Sequence, residues 1–92
     1  MEENTGEKEL SELRNELRDI DSELLKLFEK RLDLVKKAWK TKRQLGKPMR
    51  DRALEEKIIA GLIEDTSLCG SYVRRIFDVI FELNEEEAGN NK

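Results

Sequence analysis

The sequence has no histidine, a single cysteine (Cys69) and a single proline (Pro48) among its 92 residues. Without histidine, neither a Ser-His or Cys-His catalytic pair nor a usual zinc site can be built. A lone cysteine excludes an internal disulfide and fits a reducing compartment. Because no apolar run is long enough to span a membrane and no signal-peptide pattern is visible, we expect a cytoplasmic protein. Any catalysis must therefore use Arg, Lys, carboxylates and shape, and we expect no metal and no cofactor.

Charged residues are abundant, at 42% of the sequence against 37% hydrophobic residues. This composition, with so few turn residues, is typical of long helices rather than sheets. The net charge of -3 argues against general binding to nucleic acid or membrane surfaces. We expect one small domain, residues 1–92, with an ordered core at about residues 7–86 between polar ends at 1–6 and 85–92.

One long helix is predicted from about Glu7 to Leu45, because apolar residues recur there every three or four positions and Gly46 and Pro48 follow. Its apolar positions are Leu10, Leu13, Leu17, Ile20, Leu24 and Leu27. Two shorter helices are predicted, at about 52–64 with Asp51 as N-cap and at about 72–86 with Ser71 as N-cap. Their apolar faces comprise Leu54, Ile58, Ile59, Leu62 and Ile63 in the former and Val73, Ile76, Phe77, Ile80 and Phe81 in the latter.

The length of the first helix indicates a partner chain. About 38 residues at roughly 1.5 Å each extend over about 57 Å, whereas a globule of this size has a radius of gyration of about 12 Å. Two short helices cannot cover so long an apolar seam. We therefore predict an all-α fold in which three-helix subunits, each with one very long N-terminal helix, form an intertwined homodimer.

Arg31 stands where the seam of the first helix calls for another apolar residue. An unpaired guanidinium there is costly, so Arg31 needs a carboxylate partner, an anionic ligand or access to solvent, and all three remain open. Lys42 lies eleven residues later, three helical turns on, and points along nearly the same line. With Val35 and Ala38 between them, the two cations suggest the floor of a pocket for an anion.

A basic stretch and one further arginine could contribute positive charge to this pocket. The stretch 40–56 contains Lys42, Arg43, Lys47, Arg50 and Arg52, which either close one end of the pocket or form a solvated basic loop. Arg14 is about 100° out of phase with Arg31 and roughly 25 Å away on the same helix. It cannot share a pocket with Lys42 in its own subunit, but in an antiparallel dimer it reaches the partner's pocket.

These charged positions carry a resemblance to a known family. Arg14, Asp21, Arg31, Lys42, Pro48, Asp51 and Glu55 follow the spacing R-x6-D-x9-R-x10-K-x5-P-x2-D-x3-E. Together with the stretches LRNELRDIDSELLKLFEKRLDLV and GKPMRD, this pattern resembles the all-helical class of chorismate mutases, over roughly Leu10 to Glu82. The resemblance implies an intertwined homodimer that converts chorismate to prephenate by a Claisen rearrangement, toward phenylalanine and tyrosine, without a cofactor.

The resemblance also implies roles for individual residues. Cations matching Arg14, donated by the partner subunit, and Arg31 hold the two carboxylates of chorismate. The lysine matching Lys42 binds a carboxylate and the ether oxygen. The glutamate matching Glu55, with backbone near Asp51, binds the ring hydroxyl.

Three positions depart from the family pattern. Leu54 stands where the family usually has an arginine, whose charge Arg50 or Arg52 could supply at another angle. Asn84 occupies a position often held by serine. Ala88 falls where a glutamine or glutamate makes the second hydrogen bond to the ether oxygen, and Glu87, if protonated, fills this role if the third helix is shifted by one residue.

Two alternative functions remain open on the sequence. An isochorismate pyruvate lyase resembles the same family and uses a similar cationic pocket. The departure at Ala88 also leaves room for a non-catalytic helical dimer that binds a protein partner or an aromatic metabolite.

Overall fold

A computed structural model describes residues 2–89, with side chains from residue 5 onward. Met1 and residues 90–92, which the sequence analysis assigns to polar ends, lie outside the described residues. Between residues 2 and 89 the chain forms three helices and no strand: α1 (Glu2–Gln44), α2 (Arg52–Glu64) and α3 (Gly70–Gly89). The predicted all-α class with a long first helix is therefore confirmed. Within these residues no helix combines the length and the apolar character needed to cross a membrane.

The backbone divides into two units, Met1–Asp33 and Leu34–Lys92, called here the N-terminal unit and the C-terminal unit. The predicted domain boundaries stay a prediction. The N-terminal unit is helical from Glu2 onward, and every side chain from Thr5 to Lys30 is exposed. With 43 residues, α1 is longer than predicted and begins at Glu2 instead of near Glu7. Gly6 does not end the helix, because one interior glycine costs only about 1 kcal/mol.

Gly46 ends α1, as predicted. Its φ of +70° lies in the left-handed region, which glycine adopts without strain. The Gly46 N–H donates to the Arg43 carbonyl at 3.1 Å, and the Lys47 N–H donates to the Lys42 carbonyl at 2.8 Å. These two hydrogen bonds form a Schellman cap, which satisfies carbonyls at the end of α1 and turns the chain toward α2.

Asp51 caps the N-terminus of α2, also as predicted. Its backbone is extended, with φ -124° and ψ 99°, and its carboxylate accepts a hydrogen bond from the Leu54 N–H at 3.1 Å. The cap satisfies one of the four amide groups that a helix leaves unpaired at its start. The bounds of α2 match the predicted 52–64.

The predicted N-cap of α3, Ser71, is wrong. The Cys69 carbonyl accepts hydrogen bonds from the N–H groups of Tyr72 at 3.0 Å and Val73 at 3.1 Å. Cys69 therefore occupies the capping position, and α3 begins at Gly70. Ser71 lies inside the first turn, where its hydroxyl oxygen is 3.1 Å from the Cys69 sulfur. A cap must precede the first helical residue, and α3 also continues to Gly89, beyond the predicted end.

The core lies in the C-terminal unit, where α2 packs against α3. The buried side chains of the described residues are Trp39, Ile59, Val73, Phe81 and Ala88. The rings of Phe77 and Phe81 stack at a tilt of 56° with centroids 5.9 Å apart. Two residues assigned to the inner faces are exposed, Leu54 at 47% and Ile76 at 36%. Leu54 lies about 140° around α2 from Ile59, and Ile76 lies about 100° around α3 from Phe77.

Candidate active site

Lys42 lies in the last turn of α1, where its side chain is partly buried. Its ammonium nitrogen donates a hydrogen bond to the Met49 carbonyl at 2.9 Å. Met49 belongs to the turn that joins α1 to α2, so this bond holds the lysine against the turn. An ammonium group has three donors. Two of the Lys42 donors therefore remain for a ligand.

Arg50 binds Glu55 through a two-pronged ion pair. Its Nε donates to Glu55 Oε2 at 2.9 Å and its Nη2 donates to Glu55 Oε1 at 3.1 Å. Nη1 also lies 3.4 Å from Glu85 Oε1 on α3. The Arg50 and Glu55 side chains are 13% and 16% exposed, whereas Glu85 is 54% exposed. The hydrogen bond with Glu55, reinforced by the charges of both carboxylates, raises the pKa of Arg50.

The last turns of α3 carry Asn84, Glu87 and Ala88. Ala88 is 2% exposed, and its carbonyl accepts a hydrogen bond from Arg43 Nη2 at 3.2 Å. Asn84 is half-buried, while the Glu87 side chain is exposed. The position of Ala88 is thus filled by an apolar side chain that offers no donor, and Glu87, its neighbour, faces solvent.

The end of α3 is also held by Trp39. The indole ring of this buried residue lies 3.6 Å from where a Cβ on Gly89 would be. Together with the bond from Arg43 to Ala88, this contact fixes α3 against the last turns of α1. The C-terminal unit therefore joins the end of α1, the turn after it, the start of α2 and the end of α3.

Asp51 and Arg52 adjoin this cluster on the α2 side. The Asp51 carboxylate is engaged as the helix cap, where it accepts a hydrogen bond from the Leu54 N–H. Arg52 is exposed in the first turn of α2. Among the described residues, no group of three His, Cys, Asp or Glu side chains is arranged to hold a metal ion.

Arg14 and Arg31 belong to the N-terminal unit. Arg14 is exposed, whereas Arg31 is half-buried, and burial lowers the pKa of Arg31. An open depression also lies on this unit, and it is lined by Asp19, Ile20, Glu23, Leu24 and Leu27. None of these lining residues is a predicted site residue. Two carboxylates make the depression unsuited to a dicarboxylate ligand.

One family comparison identifies the chain. The family model described as chorismate mutase type II matches residues 13–87, a span that includes Arg14, Arg31, Lys42 and Glu55. The chain belongs to the chorismate mutase type II family. The resemblance found in the sequence is thereby confirmed. No curated protein and no solved structure matches the chain.

Family membership assigns the activity. Chorismate mutases are isomerases of aromatic amino acid biosynthesis, and the function of this chain is the conversion of chorismate to prephenate. This conversion breaks and forms bonds within one molecule. It requires no nucleophile and no proton transfer, so a chorismate mutase can lack histidine altogether.

Sequence reasoning missed the pairing of Arg50 with Glu55. It treated Arg50 as a free cation that could replace the arginine absent at Leu54. The signal was the opposite charge of two residues on either side of a predicted N-cap, Asp51. The residue before an N-cap lies beside the fourth residue of the helix, so the side chains of Arg50 and Glu55 can meet across Asp51.

Proposed function

We propose that this chorismate mutase acts as an intertwined homodimer in which each active site combines residues of one chain with Arg14 of its partner. The observation that carries this proposal is the exposed seam of α1. Its six members at three-four spacing are 44–58% exposed in the single chain: Leu10, Leu13, Leu17, Ile20, Leu24 and Leu27. A continuous apolar stripe of this length marks a protein interface, and a second copy supplies a matching stripe.

The roles of the site residues follow the family pattern. Arg14 of the partner and Arg31 bind the two carboxylates of chorismate. Partial burial of the Arg31 guanidinium lowers its pKa, and a guanidinium can bind a carboxylate through two parallel hydrogen bonds. Lys42 binds a carboxylate and the ether oxygen, and Glu55 binds the ring hydroxyl together with backbone near Asp51.

The third helix contributes the remaining contacts. Asn84 is the polar residue at the position often held by serine. Ala88 offers no donor toward the ether oxygen, so Lys42 is the main donor there unless a protonated Glu87 reaches it. We also retain the cytoplasm as the predicted compartment, on the basis of the lone cysteine.

Catalysis in this proposal consists of conformational selection and charge placement. The site holds chorismate in the compact chair conformer that brings the two reacting carbons together. As the C–O bond breaks, negative charge grows on the ether oxygen, and the Lys42 ammonium stabilises it. A preorganised donor of this kind contributes about 3 to 4 kcal/mol, so Lys42→Met is expected to lower kcat by about a hundred- to a thousandfold.

Mixed dimers test the shared site. Arg14→Ala and Lys42→Met chains are each expected to be inactive, and co-expression gives heterodimers in which one of the two sites has both residues. The mixture is then expected to recover about a quarter of wild-type activity, since half of the dimers are mixed. Conversion is followed by the loss of chorismate ultraviolet absorbance, and product analysis distinguishes prephenate from pyruvate.

The matched control pairs Arg14→Ala with an Arg14→Ala/Lys42→Met chain. No site in that mixture has both residues, so no activity should return. If Arg14 acted within its own chain, the test mixture would also remain inactive, and the shared site would be rejected. A monomer at assay concentration, seen by sedimentation, would have the same consequence.

A further inference from the structure

Three consecutive residues before α2 hold two of the proposed substrate-binding side chains of the C-terminal unit, Lys42 and Glu55. The Met49 carbonyl accepts the Lys42 ammonium at 2.9 Å. Arg50 grips Glu55 with bonds of 2.9 and 3.1 Å. Asp51 caps the helix on which Glu55 stands, through its bond to Leu54 at 3.1 Å. The stretch 49–51 therefore sets the positions of a cation and an anion at once.

The geometry at Arg50 fixes the Glu55 carboxylate plane. A guanidinium that donates two parallel bonds to the two oxygens of one carboxylate restricts its rotation, which a single-point contact with lysine cannot do. Both side chains are largely excluded from water, at 13% and 16% exposure. The contact of Arg50 Nη1 with Glu85, at 3.4 Å, ties the same guanidinium to α3.

The two-pronged ion pair with Arg50, called here the Arg50 fork, leaves Glu55 able to bind a hydroxyl. An ionised carboxylate has about four acceptor positions. Arg50 occupies one on each oxygen, so each oxygen keeps room for another donor. The charge of Arg50, in turn, is compensated by Glu55 and Glu85, which makes it a poor receptor for a substrate carboxylate.

We propose that Arg50 is a positioning residue, which acts through Glu55 by holding its carboxylate in the orientation that receives the ring hydroxyl of chorismate. The inference rests on the proposed function, because the role of Glu55 is part of it. It also means that Arg50 does not replace the arginine absent at Leu54. Of the two cations considered for that replacement, the exposed Arg52 is the one that remains.

The test measures kcat and KM on chorismate and on an analogue whose ring hydroxyl is replaced by hydrogen. The variants are Arg50→Met, Arg50→Lys, Glu55→Gln and the double variant Arg50→Met/Glu55→Gln. On chorismate, Arg50→Met is expected to lower kcat/KM by about ten- to a hundredfold, the effect of a charge-assisted hydrogen bond. Arg50→Lys, which keeps the charge and loses the fork, is expected to fall between wild type and Arg50→Met.

Two comparisons distinguish positioning from a merely structural role. On the analogue without the hydroxyl, Arg50→Met should have little effect on kcat/KM, because Glu55 then has nothing to bind. In the double variant, Arg50→Met should add little to the loss caused by Glu55→Gln. Thermal unfolding of each variant shows whether the fold is kept, and if Arg50→Met does not fold, Arg50→Lys carries both comparisons.

A second ion pair provides the matched control. Arg74 makes the same kind of fork with Glu56, at 2.8 and 3.0 Å, and also joins α3 to α2. Its side chains are exposed, at 46% and 59%, so Arg74→Met should leave kcat/KM unchanged on both substrates. Equal losses on chorismate and on the analogue for Arg50→Met would overturn the positioning role alone. Absence of turnover by the wild-type dimer would overturn the proposed function, and this inference with it.

Discussion

The two units of this chain have the same kind of sequence pattern, but buried side chains occur only in the C-terminal unit among the residues whose side chains are described. In the N-terminal unit every side chain from Thr5 to Lys30 is exposed, although leucine or isoleucine recurs at every helical turn. In the C-terminal unit similar spacing leads to burial, for example of Ile59 at 1% and Phe81 at 5% exposure. Apolar periodicity thus identifies the helix face that must pack against another apolar surface. It does not indicate whether the same chain or a second chain provides that surface.

The comparison also separates two kinds of stability. The C-terminal unit buries apolar side chains of α2 against its own α3, so this part of its packing requires no partner chain. If a second copy covers the seam of α1, the N-terminal unit is stabilised by association, and its stability rises with concentration. The following substitutions change either the stability that comes from association or the stability that comes from packing within one chain.

The largest effect is expected from Leu17→Asp, in the middle of the exposed seam. In a dimer the carboxylate would be buried without a partner in each chain, at about 3 to 5 kcal/mol for each buried charge. Sedimentation should show loss of the dimer, and chorismate turnover should disappear. The matched control is Ser22→Asp on the opposite side of α1, which should leave both measurements unchanged. Retention of the dimer by Leu17→Asp would contradict the proposed interface.

A smaller effect is expected from Trp39→Ala in the C-terminal unit. The indole is 7% exposed and packs on Gly89, so its removal should lower the free energy of unfolding by about 3 to 5 kcal/mol. Denaturant unfolding measures this loss, and Trp39→Phe should recover much of it. If the loss depended strongly on protein concentration, the indole would be stabilising the assembly and not the unit itself.

The smallest effects are expected from two glycine substitutions with opposite signs. Neither Gly46 nor Gly61 has an atom within 4 Å of an added Cβ, but Gly46 has a φ of +70°. Gly46→Ala should therefore destabilise by about 1 to 2 kcal/mol through backbone strain. Gly61→Ala, inside α2, should stabilise by about 0.5 to 1 kcal/mol. Thermal unfolding of both variants checks the pair, and the same sign for both would contradict the role of the left-handed turn.

The helix breaks could be predicted from the sequence because they depend on local chemistry. Gly46 and Asp51 each act through backbone bonds to residues a few positions away. The start of α3 could not be predicted as well, since Ser71 and Cys69 are both close to the break and the thiol of Cys69 hydrogen-bonds with backbone groups of Ser71 and Tyr72. Because cysteine is not among the usual capping residues, the sequence favoured the nearby serine.

The sequence indicated which types of residue form the candidate site, but it did not indicate which of their side chains contact one another. The order of cations and acids identified the family, and the family model confirms it over residues 13–87. The two-pronged ion pair between Arg50 and Glu55 depends on the backbone conformation around Asp51. The order of charged residues along the sequence does not specify that conformation. The roles of Arg14, Arg31, Lys42 and Glu55 stay proposals for the mixed-dimer and Arg50 experiments.

The sequence has one tryptophan, and its burial beside Gly89 has a practical consequence. Fluorescence of this indole reports on how the last turn of α3 docks, within the C-terminal unit. Circular dichroism is weighted toward α1, which has 43 residues against 13 in α2 and 20 in α3. The two optical signals, recorded on one heated sample, therefore compare the undocking of the last turn of α3 with the unfolding of all three helices, without any added label.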